Sequence, residues 1–129
     1  MPSELILIID DDDDLREALA EVLEDEGYRV VQAPGGQEAL HSLREGLLPD
    51  LILLDMMMPG MDGQQFRKEQ LADPRLAEIP VLILTAGRQP LHTGAGSTDR
   101  ILTKPISMTD LQRMVAEQLA ARRSRSSPS

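Results

Sequence analysis

Apolar residues follow two distinct patterns along this chain. Leu5-Ile6-Leu7-Ile8-Ile9, Leu51-Ile52-Leu53-Leu54 and Val81-Leu82-Ile83-Leu84 are unbroken apolar runs of strand length. Runs without polar alternation suit strands covered on both faces, as in a parallel sheet. Tyr28 to Gln32 and Arg100 to Leu102 are weaker strand candidates. Between the runs the period changes to that of a helix. Leu15, Ala18, Leu19, Val22 and Leu23 form one apolar stripe, with Gly27 placed to end the helix. Ala39, Leu40 and Leu43 repeat it before Gly46, and Gln64 to Leu71 form a third helix ahead of Asp73-Pro74. Ser107-Met108-Thr109-Asp110 resembles a capping box and starts a last helix through Leu111, Met114, Val115 and Leu119.

Strands and helices thus alternate along the whole chain, which predicts an α/β sheet with right-handed crossovers. A length of 129 residues fits one domain, assigned to residues 1–121. The polar tail 122–129 holds three arginines and no acid and is expected to be disordered. The net charge of −9 repels phosphate backbones, and with 2% aromatics there is little surface for stacking bases, so no nucleic-acid partner is expected. The absence of cysteine excludes disulfides, thiolate metal sites and cysteine nucleophiles. No stretch approaches the roughly 20 apolar residues of a membrane span, so no membrane partner is expected and the cytoplasm is the expected location.

In an open parallel sheet, ligands bind beyond the carboxyl ends of the strands. The residues that follow the apolar runs are therefore the candidates for chemistry: Asp10 and Asp11, Asp55, Thr85 and, after the fifth strand, Lys104. If the first and third strands are neighbours, the carboxylates meet within a few ångströms. Two like charges about 4 Å apart repel by about 4 kcal/mol at an effective dielectric near 20. Such a site calls for a cation, and an all-oxygen donor set favours Mg2+. Asp12, Asp13 and Asp14 are equally well read as capping residues at a helix start.

Ile8-Ile9-Asp10-Asp11, Leu53-Leu54-Asp55 with the following Met56-Met57-Met58-Pro59-Gly60-Met61-Asp62-Gly63, Leu84-Thr85-Ala86 and Lys104-Pro105 resemble, in this order, the signatures of the receiver domains of bacterial two-component response regulators. The resemblance runs from about Leu5 to Leu119. It implies a doubly wound, five-stranded parallel sheet of flavodoxin-like order 2-1-3-4-5. It also implies that Asp55 is the phosphoacceptor, taking a phosphoryl group from a sensor kinase phosphohistidine and switching the binding of a downstream protein. Asp11, Asp55 and the backbone carbonyl of Met57 are then the protein ligands of Mg2+, with Asp10 acting through metal-bound water. Thr85 and Lys104 contact phosphoryl oxygens, and the Lys104–Pro105 peptide is cis. On this reading the protein is a regulatory phosphoacceptor and not an enzyme, beyond self-phosphorylation from small donors and autodephosphorylation.

The sequence departs from the family between Ala86 and Asp99. Gly87, Pro90, Gly94 and Gly96 leave no helical apolar period there, so the fourth of the usual helices is expected to be degenerate or missing. Ile101 stands where the family commonly has an aromatic residue. Two other readings compete with a working receiver. One is a pseudo-receiver that keeps the fold as a protein-interaction module. The other is a haloacid-dehalogenase-type phosphatase, in which Asp10-x-Asp12, Thr85 and Lys104 imitate three motifs but Asp55 is left without a role.

Overall fold

The computed structural model of the chain describes residues 4–56, 63–85 and 100–126. In chain order the elements are β1 (Leu5–Ile9), α1 (Asp13–Asp25), β2 (Arg29–Ala33), α2 (Gly36–Arg44), β3 (Leu51–Asp55), α3 (Gly63–Ala72), β4 (Val81–Thr85), β5 (Arg100–Thr103) and α4 (Met108–Ser126). All neighbouring strands pair parallel, in the order β2-β1-β3-β4-β5. This is the α/β architecture and strand order the sequence implies.

The three unbroken apolar runs occupy the sheet centre, where strand alternation sends side chains into two separate cores. Leu7, Ile9, Ile52, Leu54, Val81 and Ile83 face α2 and α3, meeting Ala39, Leu40, Leu43 and Phe66. Ile6, Ile8, Leu51, Leu53, Leu82 and Leu84 face α1 and α4, meeting Leu19, Leu23, Leu111, Val115 and Leu119. Both faces are therefore covered, which is why these strands carry no polar alternation. The edge strands are less buried: β2 spans Arg29–Ala33, one residue later than its apolar pattern suggests, and β5 buries only Leu102.

Helix ends follow their sequence signals. After α1, Gly27 adopts φ 97°, its N–H donates to the Glu24 carbonyl and the Tyr28 N–H donates to the Leu23 carbonyl. Gly46 closes α2 the same way at φ 114°, with its N–H on the Leu43 carbonyl and the Leu47 N–H on the Ser42 carbonyl. Each pair of bonds satisfies last-turn carbonyls that have no partner inside the helix, and the left-handed residue this needs is glycine. At the start of α4, Ser107 Oγ accepts from the Asp110 N–H at 3.2 Å, while the Asp110 carboxylate pairs with Arg113 instead of completing the box.

The last helix continues to Ser126, beyond Ala121 where the sequence reading begins a disordered tail. Alanine and arginine are strong helix formers, so propensity alone favours continuing the helix beyond Leu119, its last buried residue among those whose burial is described. No described helix is long and apolar enough to cross a membrane. The expected degeneracy of Ala86 to Asp99 falls outside the described residues.

Candidate functional site

The strand register brings the chemistry-bearing residues to one edge. Ile9 of β1 pairs with Leu54 of β3, so Asp10 and Asp55, each the next residue, emerge side by side. Asp55 pairs with Leu84 of β4, and Thr85 follows it. Thr85 pairs with Thr103 of β5, and the Lys104 N–H donates to the Thr85 carbonyl at 2.7 Å. Asp10, Asp55 and Thr85 are buried, whereas Asp11 is exposed.

Lys104 reaches back over the sheet edge from β5. Its Nζ lies 3.4 Å from Asp55 Oδ1 and 3.5 Å from Asp10 Oδ2. Carboxylate oxygens of Asp10, Asp11 and Asp55 lie within 4.8 Å of one another. The ammonium thus pairs with two of the three carboxylates, and among these four groups negative charge is in excess. The fully buried Asp10 Oδ2 has no hydrogen-bond partner. A buried carboxylate oxygen without a hydrogen bond is costly. Together with an all-oxygen donor set, this fits a hard divalent cation such as Mg2+.

Each acidic residue has a distinct local role. The Asp10 N–H donates to the Ala33 carbonyl at 3.2 Å, and Asp10 Oδ1 accepts from the Asp12 N–H at 2.9 Å. Asp12 caps α1, its Oδ1 accepting from the Leu15 N–H at 3.1 Å. Asp13 and Asp14 occupy the first turn, where the helix dipole favours negative charge. The acidic run therefore divides: Asp10 and Asp11 join the cluster with Asp55, and the rest start the helix.

Behind Asp55 the chain is held closely. The Gly63 N–H donates to the Met56 carbonyl at 3.3 Å. A β-carbon on Gly63 would collide with Met56 Sδ, meet Met56 Cα at 2.7 Å and meet the Asp55 carbonyl oxygen at 3.0 Å. Only glycine lets α3 start this close to the end of β3. The Lys104–Pro105 peptide is cis, as the resemblance implies. Met57, whose carbonyl the resemblance implies as a metal ligand, lies outside the described residues.

The sequence reading passed over Arg16. Its Nη1 donates to the Asp10 backbone carbonyl at 2.8 Å, its Nε to Gln32 Oε1 at 3.1 Å, and its Nη2 pairs with Asp13 Oδ1 at 2.7 Å. The available signal was a lone cation among eight acids between Asp10 and Glu24, a position that apolar periodicity ignores.

Comparison with known proteins adds the family. The model of the response regulator receiver domain matches residues 6–116. An uncharacterized 14.6 kDa protein of Leptolyngbya boryana is 40% identical over 120 residues, covering 90% of each chain. The phosphate regulon transcriptional regulatory protein PhoB of Pseudomonas aeruginosa is 38% identical over 117 residues, covering 86% of this chain and 49% of that protein. The chain thus spans about half the length of several curated relatives it matches. Among solved structures, the signal receiver domain of a signal transduction histidine kinase from Syntrophus aciditrophicus superposes with a TM-score of 0.83 at 34% identity, covering 92% of each chain. A CheY-like response regulator receiver domain protein from Methanospirillum hungatei gives a TM-score of 0.80 at 30% identity, covering 93% of this chain and 97% of that one.

Proposed function

This chain belongs to the response regulator receiver domain family, and from that premise we propose that it takes a phosphoryl group onto Asp55 from the phosphohistidine of a sensor kinase. Receiver domains are regulatory phosphoacceptors rather than enzymes, so the phosphatase alternative falls away. The observation that carries the proposal is the seating of Lys104 Nζ at 3.4 Å from Asp55 and 3.5 Å from Asp10, beside carboxylate oxygens within 4.8 Å of one another.

A carboxylate oxygen of Asp55 attacks the phosphorus in line. A P–O bond forms as the P–N bond breaks, and the departing imidazole keeps the electron pair. Such transfers pass through a loose transition state, so placement and charge neutralisation matter more than covalent assistance. Lys104 pairs with one phosphoryl oxygen and the Thr85 hydroxyl donates to another. Asp11 and Asp55 would hold Mg2+, with Asp10 beside them in the same acidic cluster; the resemblance adds the Met57 carbonyl to this set. When bound, the ion would supply positive charge to the phosphoryl oxygens. Phosphorylation then changes the binding of a downstream protein, and the domain works in the cytoplasm.

The test is phosphorylation with acetyl phosphate and Mg2+, followed by mapping of the modified residue by peptide mass spectrometry. The expected result is a single phosphoryl group on Asp55, lost on chelation of Mg2+ and absent from Asp55→Asn. Modification of Asp10 instead, or uptake that ignores Mg2+, would overturn the proposal. Beryllofluoride with Mg2+ should also shift many amide signals; a pseudo-receiver would show few shifts.

A further inference from the structure

We propose that Arg16 is a positioning residue for the cation site, fixing the peptide that carries Asp10 and Asp11. This rests on the Mg2+ reading above and assigns a role to a side chain outside the acidic cluster. Arg16 is largely covered, with 11% of its side chain exposed. Its guanidinium joins three elements: the Asp10 carbonyl at the end of β1 at 2.8 Å, Gln32 of β2 at 3.1 Å and Asp13 in the first turn of α1 at 2.7 Å.

The effect on Asp10 follows from counting its polar groups. The N–H is held by the Ala33 carbonyl, the backbone oxygen by Arg16, and Oδ1 by the Asp12 N–H. Oδ2 alone has no hydrogen bond and lies toward Lys104. With three groups fixed, the fourth has little freedom to turn away, so the repulsion among the carboxylates cannot be relieved by rotating the Asp10–Asp11 peptide. Holding ligands in place before the cation arrives reduces the ordering that binding requires. The planar fork of arginine can serve three acceptors in fixed directions; a lysine ammonium on a flexible stem cannot reproduce this.

Charge and position predict opposite signs for one variant, which makes the proposal testable. Arg16 is a cation near an acidic site, so Coulomb's law alone makes Mg2+ bind more tightly to Arg16→Ala than to the native protein. Positioning makes it bind more weakly. Loss of groups that orient metal ligands costs on the order of 10–100-fold in affinity, and a loss of about 10-fold is expected here. Arg16→Lys keeps the charge and loses the fork, so it should weaken binding as well. Gln32→Ala leaves the Asp10 carbonyl bond in place and should weaken binding less than either Arg16 variant does.

The measurement is Mg2+ titration of the folded proteins followed by amide NMR shifts, at a temperature well below each melting point. Exchange of the Asp12 amide hydrogen in metal-free protein is the second readout. It should accelerate in both Arg16 variants relative to amides in the centre of α4. Weaker Mg2+ binding in Arg16→Ala and Arg16→Lys with faster Asp12 exchange supports the proposal. Binding that is tighter or unchanged in either variant, or unchanged Asp12 exchange, overturns it while the native protein still binds Mg2+. A native protein that fails to bind Mg2+ overturns both this proposal and the cation-site reading.

Discussion

The β1–β3 pair is bounded by aspartates at both ends, and the two ends are built in opposite ways. At the amino end, Asp50 Oδ2 accepts from the Leu5 N–H at 2.8 Å, and the Asp50 N–H donates to the Leu5 carbonyl at 2.7 Å. That carboxylate extends the pairing of the strands by one more link. At the carboxyl end, Asp10 and Asp55 are buried beside each other, and Asp10 Oδ2 receives no hydrogen bond. The same side chain closes the sheet at one end and leaves charge available to a ligand at the other. Stability and reactivity are thereby separated along a single pair of five-residue strands.

The largest expected difference between the two ends is chemical. Asp55→Asn should abolish phosphoryl uptake from acetyl phosphate, because the amide is not a nucleophile of the required kind. Asp50→Ala should retain uptake when assayed well below its melting temperature. Loss of labelling in Asp50→Ala under those conditions would erase the distinction between a structural and a chemical end.

Gly63→Ala should give the largest loss of stability. The far end of the Met56 side chain can move aside, but Met56 Cα at 2.7 Å and the Asp55 carbonyl at 3.0 Å belong to the backbone. Overpacking of this kind costs about 1–3 kcal/mol, and the backbone contacts place this case near the upper end. Urea unfolding measures it. A loss below about 0.5 kcal/mol would show that β3 and α3 are not locked together at the reactive end.

How much of this was legible in the sequence follows from what each element must do. β1, β3 and β4 were plain because both faces of the central strands are covered. β2 and β5 were faint because edge strands need fewer apolar positions; the outward-facing Ile101 even breaks the pattern. The glycine stops after α1 and α2 were readable because a left-handed residue was required there. Asp10, Asp11, Asp55, Thr85 and Lys104 could be proposed together because parallel strands deliver their following residues to one edge. Asp50 could not, because it acts on backbone groups of a strand far away in sequence, and Arg16 could not, because its partners are a nearby backbone carbonyl and a side chain on β2. Such contacts leave no periodic signal. The extension of α4 to Ser126 was missed for a related reason, since helix propensity needs no apolar stripe.

Asp50→Ala tests the stabilising end directly. It removes a charge-assisted hydrogen bond to the Leu5 amide, a type worth about 1.5–3 kcal/mol. The site is only partly buried, so water compensates in part and a loss of about 1–2 kcal/mol is expected. Asp50→Asn should recover some of it, since an amide oxygen can still accept. Equal losses for alanine and asparagine would mean that the charge, not the acceptor geometry, holds this end together.

The smallest effect has the opposite sign and turns on the cation. Asp10 faces carboxylate oxygens of Asp11 and Asp55 no farther than 4.8 Å away, each repelling by at least about 3 kcal/mol at an effective dielectric of 20. Lys104 at 3.5 Å returns about 5 kcal/mol on the same scale. Neutralising Asp10 relieves the two repulsions and forfeits the one attraction. Exposure of Asp11 weakens its share, so the net gain expected for Asp10→Asn in chelator is about 1 kcal/mol. The asparagine oxygen can still accept from the Asp12 N–H, which preserves the local fold. Added Mg2+ should reverse the order, because a cation at 100 times its Kd stabilises the native protein by about 2.7 kcal/mol and the variant by far less. Urea unfolding of both proteins, in chelator and in Mg2+, should therefore give stability curves that exchange rank. An Asp10→Asn protein that is less stable than the native one in chelator would show that Lys104 already balances the site, and the reactive end would then be no more strained than the end closed by Asp50.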